Sequence, residues 1–106
     1  MIFPGFETHP EADAELEGAV DRYLAYSPDS AQRLIERIGK LLNDLGEWPH
    51  SGREWKPWDR EPQVYSYGVS GYPFRVVYFL RDDKLIILAF AHEKQRPGYW
   101  KHRVHS

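Results

Sequence analysis

The sequence predicts an α+β fold: an N-terminal strand, an antiparallel two-helix hairpin, and a three- to four-stranded antiparallel sheet that carries the hairpin on one face. Two observations lead there. Between residues 8 and 46 apolar residues recur at helical spacing, interrupted once by Ser27-Pro28. After residue 63 the spacing changes to short alternating or β-branched runs separated by turn residues. This order, helices first and strands after, is that of a segregated α+β domain.

The elements follow in chain order. Ile2, Phe3 and Phe6 make the stretch Ile2 to Glu7 a short edge strand, interrupted by Pro4-Gly5. Thr8 is placed to cap the first helix, with Glu11 at capping-box spacing and Pro10 in the first turn. Ala12, Leu16, Ala19, Val20, Tyr23 and Tyr26 then mark its buried stripe. Ser27-Pro28 ends this helix and starts the next. The second carries Ala31, Leu34, Ile35, Ile38, Leu41, Leu42 and Leu45, with Gly46 as its stop. So short a connection makes the two helices an antiparallel hairpin.

Residues 46–63 hold three tryptophans, three prolines and two glycines. Turn chemistry makes this a loop, and Trp48, Trp55 and Trp58 are expected to lid the core or to present a partner-binding face. Three strands follow: Gln63 to Val69, Phe74 to Leu80, and Lys84 to His92, joined at Ser70-Gly71 and at a tight turn through Asp82-Asp83.

A two-residue turn at Asp82-Asp83 sets an expected register. Arg81 pairs with Lys84, Phe79 with Ile86, Val77 with Leu88 and Arg75 with Phe90. Alternation then puts Phe74, Val76, Tyr78, Leu80, Leu85, Ile87, Ala89 and Ala91 under the helices. Arg75, Val77, Phe79, Ile86, Leu88, Phe90 and His92 share the other face, where Val77, Phe79, Ile86 and Leu88 form an exposed apolar centre. Arg75 stands in the middle of an apolar strand, an expensive place for a cation unless it pairs with a carboxylate such as Glu93 or lines an anion site.

Length and composition set bounds. The 106 residues suit one domain spanning 1–106, and a chain of this size buries roughly two-thirds of its unfolded surface. There is no cysteine, which fits a reducing cytoplasm. No apolar run approaches the roughly 20 residues of a membrane helix, and the N-terminus lacks a signal-peptide pattern. Residues 1–47 carry ten acidic and four basic residues, and residues 48–106 carry six acidic and ten basic. The basic half is therefore the one that attracts an anionic partner. No phosphate-binding, nucleophile-elbow or dinucleotide motif is present, and neither metal nor cofactor is expected. His102-x-x-His105 lacks further ligands and reads as a frayed terminus.

The ordered set HPEADAELEGAVDRY, the Pro49/Gly52 break, YPFRVVYFLRDDKLIILAFAH and the closing Arg96-Pro97-Gly98-Tyr99-Trp100 resembles the RelE/ParE superfamily of bacterial type II toxin–antitoxin toxins, also known as plasmid stabilisation proteins. The resemblance runs nearly end to end. It implies a cytoplasmic toxin that binds a cognate antitoxin, in a toxin–antitoxin hetero-oligomer, and attacks one of two targets. A ParE-like protein poisons DNA gyrase by binding and has no catalytic set of its own. A RelE-like protein cleaves mRNA on the ribosome. Its catalytic positions would land on Arg75 and Arg96 as charge stabilisers, His92 or Glu93 as base, and Tyr99 as acid. A strand from Gln63 to Val69 without a basic residue, the long amphipathic hairpin and a pI near 6.2 favour the ParE-like branch and a non-enzymatic toxin. A non-toxic orphan binding module is the third reading. Target or antitoxin contacts are expected at Val77, Phe79, Ile86, Leu88, Trp55, Trp58, Lys94 and Trp100.

Overall fold

The structure, a computed structural model, describes Phe3, residues 5–58 and residues 60–105. Its elements are β1 (Glu7–Thr8), α1 (Pro10–Tyr26), α2 (Pro28–Glu47), β2 (Arg53–Glu54), β3 (Val64–Gly68), β4 (Phe74–Arg81) and β5 (Lys84–His92), closed by a 3₁₀ turn at Lys101–Arg103. The sheet order is β1-β5-β4-β3-β2. The expected meander β3-β4-β5 is antiparallel, and β1 adds to β5 in parallel. The expected opening strand contributes only Glu7 and Thr8, while Ile2 and Pro4 lie outside the described residues.

Pairing with the sheet changes the first helix start. Thr8 is drawn into β1, opposite Ile87, so it does not cap α1. His9 takes that position, and its Nδ1 accepts from the Glu11 N–H at 3.1 Å. Ser27 serves both helices as expected. Its N–H donates to the Tyr23 carbonyl at the end of α1, and its Oγ accepts from the Ser30 N–H at the start of α2. Gly46 remains helical, and α2 runs on to Glu47.

The apolar stripes pack as their spacing dictates. Ala12, Leu16, Ala19 and Val20 of α1 and Ala31, Leu34, Ile38, Leu42 and Leu45 of α2 form one core with Val76, Tyr78 and Ile87 of the sheet. Tyr26, expected in that stripe, is exposed. Tyr78 has no solvent exposure, yet its hydroxyl is satisfied: it donates to the Pro49 carbonyl at 2.7 Å and accepts from the Gly52 N–H at 3.1 Å. This tie fixes the Pro49/Gly52 break to the centre of the sheet. A Cβ on Gly52 would lie 2.5 Å from that hydroxyl, so only glycine fits.

The expected register holds next to the turn and fails beyond it. Asp82 and Asp83 both adopt positive φ (50° and 66°), the geometry of a tight two-residue hairpin. Arg81 pairs with Lys84 and Phe79 with Ile86. The register then shifts: Tyr78 pairs with Ile87 but Val77 pairs with Ala89, so Leu88 is an extra residue in β5. Leu88 and Ala89 consequently face the same side. Every residue after the bulge is turned over relative to the expected alternation. Phe90 goes into the core beneath the helices, and Ala89 and Ala91 go to the second face. Arg75 pairs with Ala91, and His92 pairs with Phe74. Arg75 and His92 therefore stand on opposite faces, which corrects the expectation that they share one.

The second face is also a core rather than an open surface. Val77, Phe79, Ile86 and Leu88 are all buried, covered by Trp58, Trp100 and Val104. The expectation of an exposed apolar centre overlooked the described tail through residue 105, which returns across the sheet. Trp58, 8% exposed, and the half-buried Trp55 do lid this core, whereas Trp48 stands 68% exposed at the end of α2.

Candidate functional site

The tail that covers the second face is fastened by charge. Arg103 is 6% exposed and projects toward α1. Its Nη1 donates to Glu15 Oε1 at 2.8 Å and to the Leu88 carbonyl at 3.0 Å; its Nη2 donates to Glu15 Oε2 at 3.3 Å. Glu11 Oε2 lies 3.2 Å from Arg103 Nε. The Tyr99 hydroxyl donates to Glu15 Oε2, and the Arg103 guanidinium sits 5.1 Å over the Tyr99 ring. Glu15 also accepts from the Phe90 N–H at 3.2 Å. The carbonyl of the bulge residue Leu88 and the N–H of Phe90 thus find partners in this network.

His102 bonds Glu11 at 3.0 Å, and this bond, ahead of the nearby positive charge, holds the Glu11 carboxyl below its ordinary range. The reading of His102-x-x-His105 as a frayed terminus is corrected accordingly: the tail is anchored through its charges and through buried Val104.

Burial, then the hydrogen bond and negative charge of Glu15, push the Tyr99 phenol far above its ordinary value. A raised folded value means that the protonated phenol stabilises the fold fully below the unfolded value near pH 10. That contribution is lost as pH climbs toward the folded value. Tyr99→Phe is expected to be destabilised at pH 8. The gap to the unaltered protein, measured by urea midpoints, is expected to narrow steadily between pH 9.5 and 11. A constant gap would mean that Tyr99 is not held in its protonated form by Glu15.

Beside the fastened tail lies a cleft of about 300 Å³. Arg53, Ser66, Arg75, Glu93 and Arg96 supply its polar wall, and Trp55, Val77, Ala91, Pro97 and Trp100 its apolar floor. Register explains the convergence. Arg53 of β2 pairs with Ser66 of β3, which pairs with Val77 of β4, and one row further on Gly68, Arg75 and Ala91 lie side by side. Arg75 Nε donates to Ser66 Oγ at 3.1 Å. Among the described residues no carboxylate lies within ion-pair distance of Arg75, so the expected pairing with Glu93 or a helix acid is absent.

The sequence candidates thus divide. Arg75, Arg96, Tyr99, Trp55 and Trp100 meet at the cleft. His92 lends part of its wall, but the imidazole packs edge-on against Phe74 (5.1 Å between centroids), and its Nδ1 accepts from the Lys94 N–H at 3.0 Å. The Tyr99 hydroxyl is directed at Glu15. Lys94 is exposed. Sequence reasoning missed Arg53, Ser66, Glu15 and Arg103. For Arg103 the signal was the apolar pair Trp100 and Val104 bracketing it at helical spacing. Arg53 had none, since β2 is two residues within a loop.

A two-helix hairpin on a mixed sheet, with a cationic and aromatic cleft beside a fastened tail, defines a small α+β protein. The family model of the ParE toxin of type II toxin–antitoxin systems, parDE, matches residues 6–97. The chain belongs to this family of toxins of type II toxin–antitoxin systems, a family that implies a cognate antitoxin. The searches of curated proteins and of solved structures gave no match. Among the described residues no helix is long and apolar enough to cross a membrane.

Proposed function

We propose that this toxin acts by binding an essential protein, DNA gyrase by resemblance to ParE-like toxins, and that its antitoxin neutralises it within a hetero-oligomeric complex. The observation that carries this reading is that two candidate acid–base groups, His92 and the Tyr99 hydroxyl, are directed away from the cleft cations. RNA cleavage needs a base and an acid on either side of a phosphate held by cations. Here the His92 ring lies against Phe74 on the helix side of the sheet, and the Tyr99 hydroxyl is spent on a carboxylate. The lack of any basic residue on β3 also argues against a track for a polynucleotide backbone.

The RelE-like alternative draws support from the meeting of Arg53, Arg75 and Arg96 with Glu93, the other candidate base, in a single cleft. Two assays on the purified protein separate the readings: gyrase supercoiling, and mRNA cleavage on translating ribosomes. Inhibition of supercoiling without cleavage is the expected result. Cleavage that disappears in Arg75→Ala would overturn the proposal, and silence in both assays would favour an orphan binding module.

A further inference from the structure

Arg75 stands in a space that the fold has cleared for it. The bulge at Leu88 sets Ala91 opposite Arg75, where the unbroken alternation would have set Phe90. On the other side its partner is Gly68, where even a Cβ would come within 3.1 Å of Arg75 Nη1. Ser66 takes one guanidinium N–H. Among the described residues the remaining N–H groups of Arg75 have no hydrogen-bonded partner in the protein. A half-buried cation with open donors, flanked by Arg53 and Arg96 and faced by the single acid Glu93, is electrostatically incomplete.

We propose that this cleft receives one carboxylate side chain of an acidic peptide segment, bound by Arg75 and Arg96, with an aliphatic neighbour of that residue seated on Trp55, Val77 and Pro97. The inference rests on the toxin–antitoxin reading for the source of the segment, which is the antitoxin. Three features favour a peptide over RNA. The volume admits about one or two side chains rather than a run of nucleotides. The floor is apolar. The Trp55 ring is not free for base stacking, because Trp100 meets it edge-on at 4.9 Å and Lys101 Nζ lies 5.2 Å over it.

The test is a titration of the ¹⁵N-labelled full chain, followed by NMR, with three probes: the peptide acetyl-Gly-Leu-Glu-Leu-Gly-amide, its Gln analogue, and a short single-stranded RNA. The Glu peptide is expected to shift the Arg75 Nε–Hε signal and the Trp55 and Trp100 indole signals. The Gln analogue should bind roughly tenfold more weakly or worse, as expected when a charge-assisted forked contact is lost. Arg75→Ala should weaken the Glu peptide to a similar degree. Arg96→Ala, at an exposed position where folding is not at stake, should weaken it several-fold, and Lys40→Ala on α2 should leave it unchanged. Equal binding of the two peptides, no shift at Arg75, or indifference to Arg96→Ala would overturn the proposal. So would RNA displacing the peptide through Arg75, which would make the cleft a phosphate site. Growth arrest on expression tests the toxin reading separately. Arrest without peptide binding removes only the cleft assignment; binding without arrest removes only the toxicity.

Discussion

Replacing Glu15 by alanine is expected to lower stability by about 3–5 kcal/mol, the range for breaking a buried ion pair by removing one partner. Arg103 is nearly fully buried, and its two terminal nitrogens spend most of their bonds on this one carboxylate. Without Glu15 the guanidinium keeps the Leu88 carbonyl and the half-exposed Glu11 carboxylate, which sets the low end of the range. The Tyr99 hydroxyl and the Phe90 N–H lose their acceptor in the same step. For a domain of about this size the change corresponds to a fall in Tm of roughly 12 °C or more. Differential scanning calorimetry measures it directly. A loss below about 1 kcal/mol would mean that the pair is screened like a surface salt bridge.

Trp100→Ala should cost a comparable amount, about 3–5 kcal/mol, from lost transfer energy and from the void left behind. Trp100 is 3% exposed and rests between Trp55 and Trp58, with ring centroids at 4.9 and 6.4 Å. Its removal takes the cover from Val77, Phe79 and Leu88. The loss should appear as a lower urea midpoint and as binding of a hydrophobic dye. Trp48→Ala provides the contrast: that exposed side chain should change stability by no more than about 0.5 kcal/mol. Equal effects of the two substitutions would mean that the tail does not cover the second face as described.

The same two substitutions separate the contributions of tail and cleft. Trp100 forms part of the cleft floor, whereas Glu15 acts on the cleft indirectly, through Tyr99, the tail and the Phe90 N–H beside the bulge. Binding of an acidic peptide is expected to fail in Trp100→Ala even under conditions where the protein remains folded. In Glu15→Ala it should weaken only as far as the tail and the bulge loosen.

Local chemistry made most of the fold legible. The apolar spacing of both helices, the shared cap at Ser27, and the hairpin through Asp82-Asp83 follow from interactions between residues close in sequence, so the chain states them directly. The resemblance carried by HPEADAELEGAVDRY, by the strand around Arg75 and by Arg96-Pro97-Gly98-Tyr99-Trp100 also pointed to the family that matches residues 6–97. Arg75 stands out in the sequence because an arginine inside an apolar strand is costly without a partner, whereas Arg96 and Tyr99 follow from the resemblance.

What remained hidden depends on pairs distant in sequence. The bulge at Leu88 leaves no mark on LIILAFA, a uniformly apolar run that alternates equally well in either register. It is supported from outside the strand, where Arg103 takes the Leu88 carbonyl and Glu15 takes the Phe90 N–H. Residues 15 and 103 meet only once the hairpin lies on the sheet and the tail has crossed it. That meeting decides which side chains of β5 face the cleft, that Ala91 rather than Phe90 lies beside Arg75, and that His92 turns away from it. Near neighbours along the chain dictate the two helices, the meander β3-β4-β5 and a cation placed among apolar residues. Which groups surround that cation follows from packing between distant segments, because a one-residue shift reverses every later side chain in a strand and is settled by contacts far along the chain.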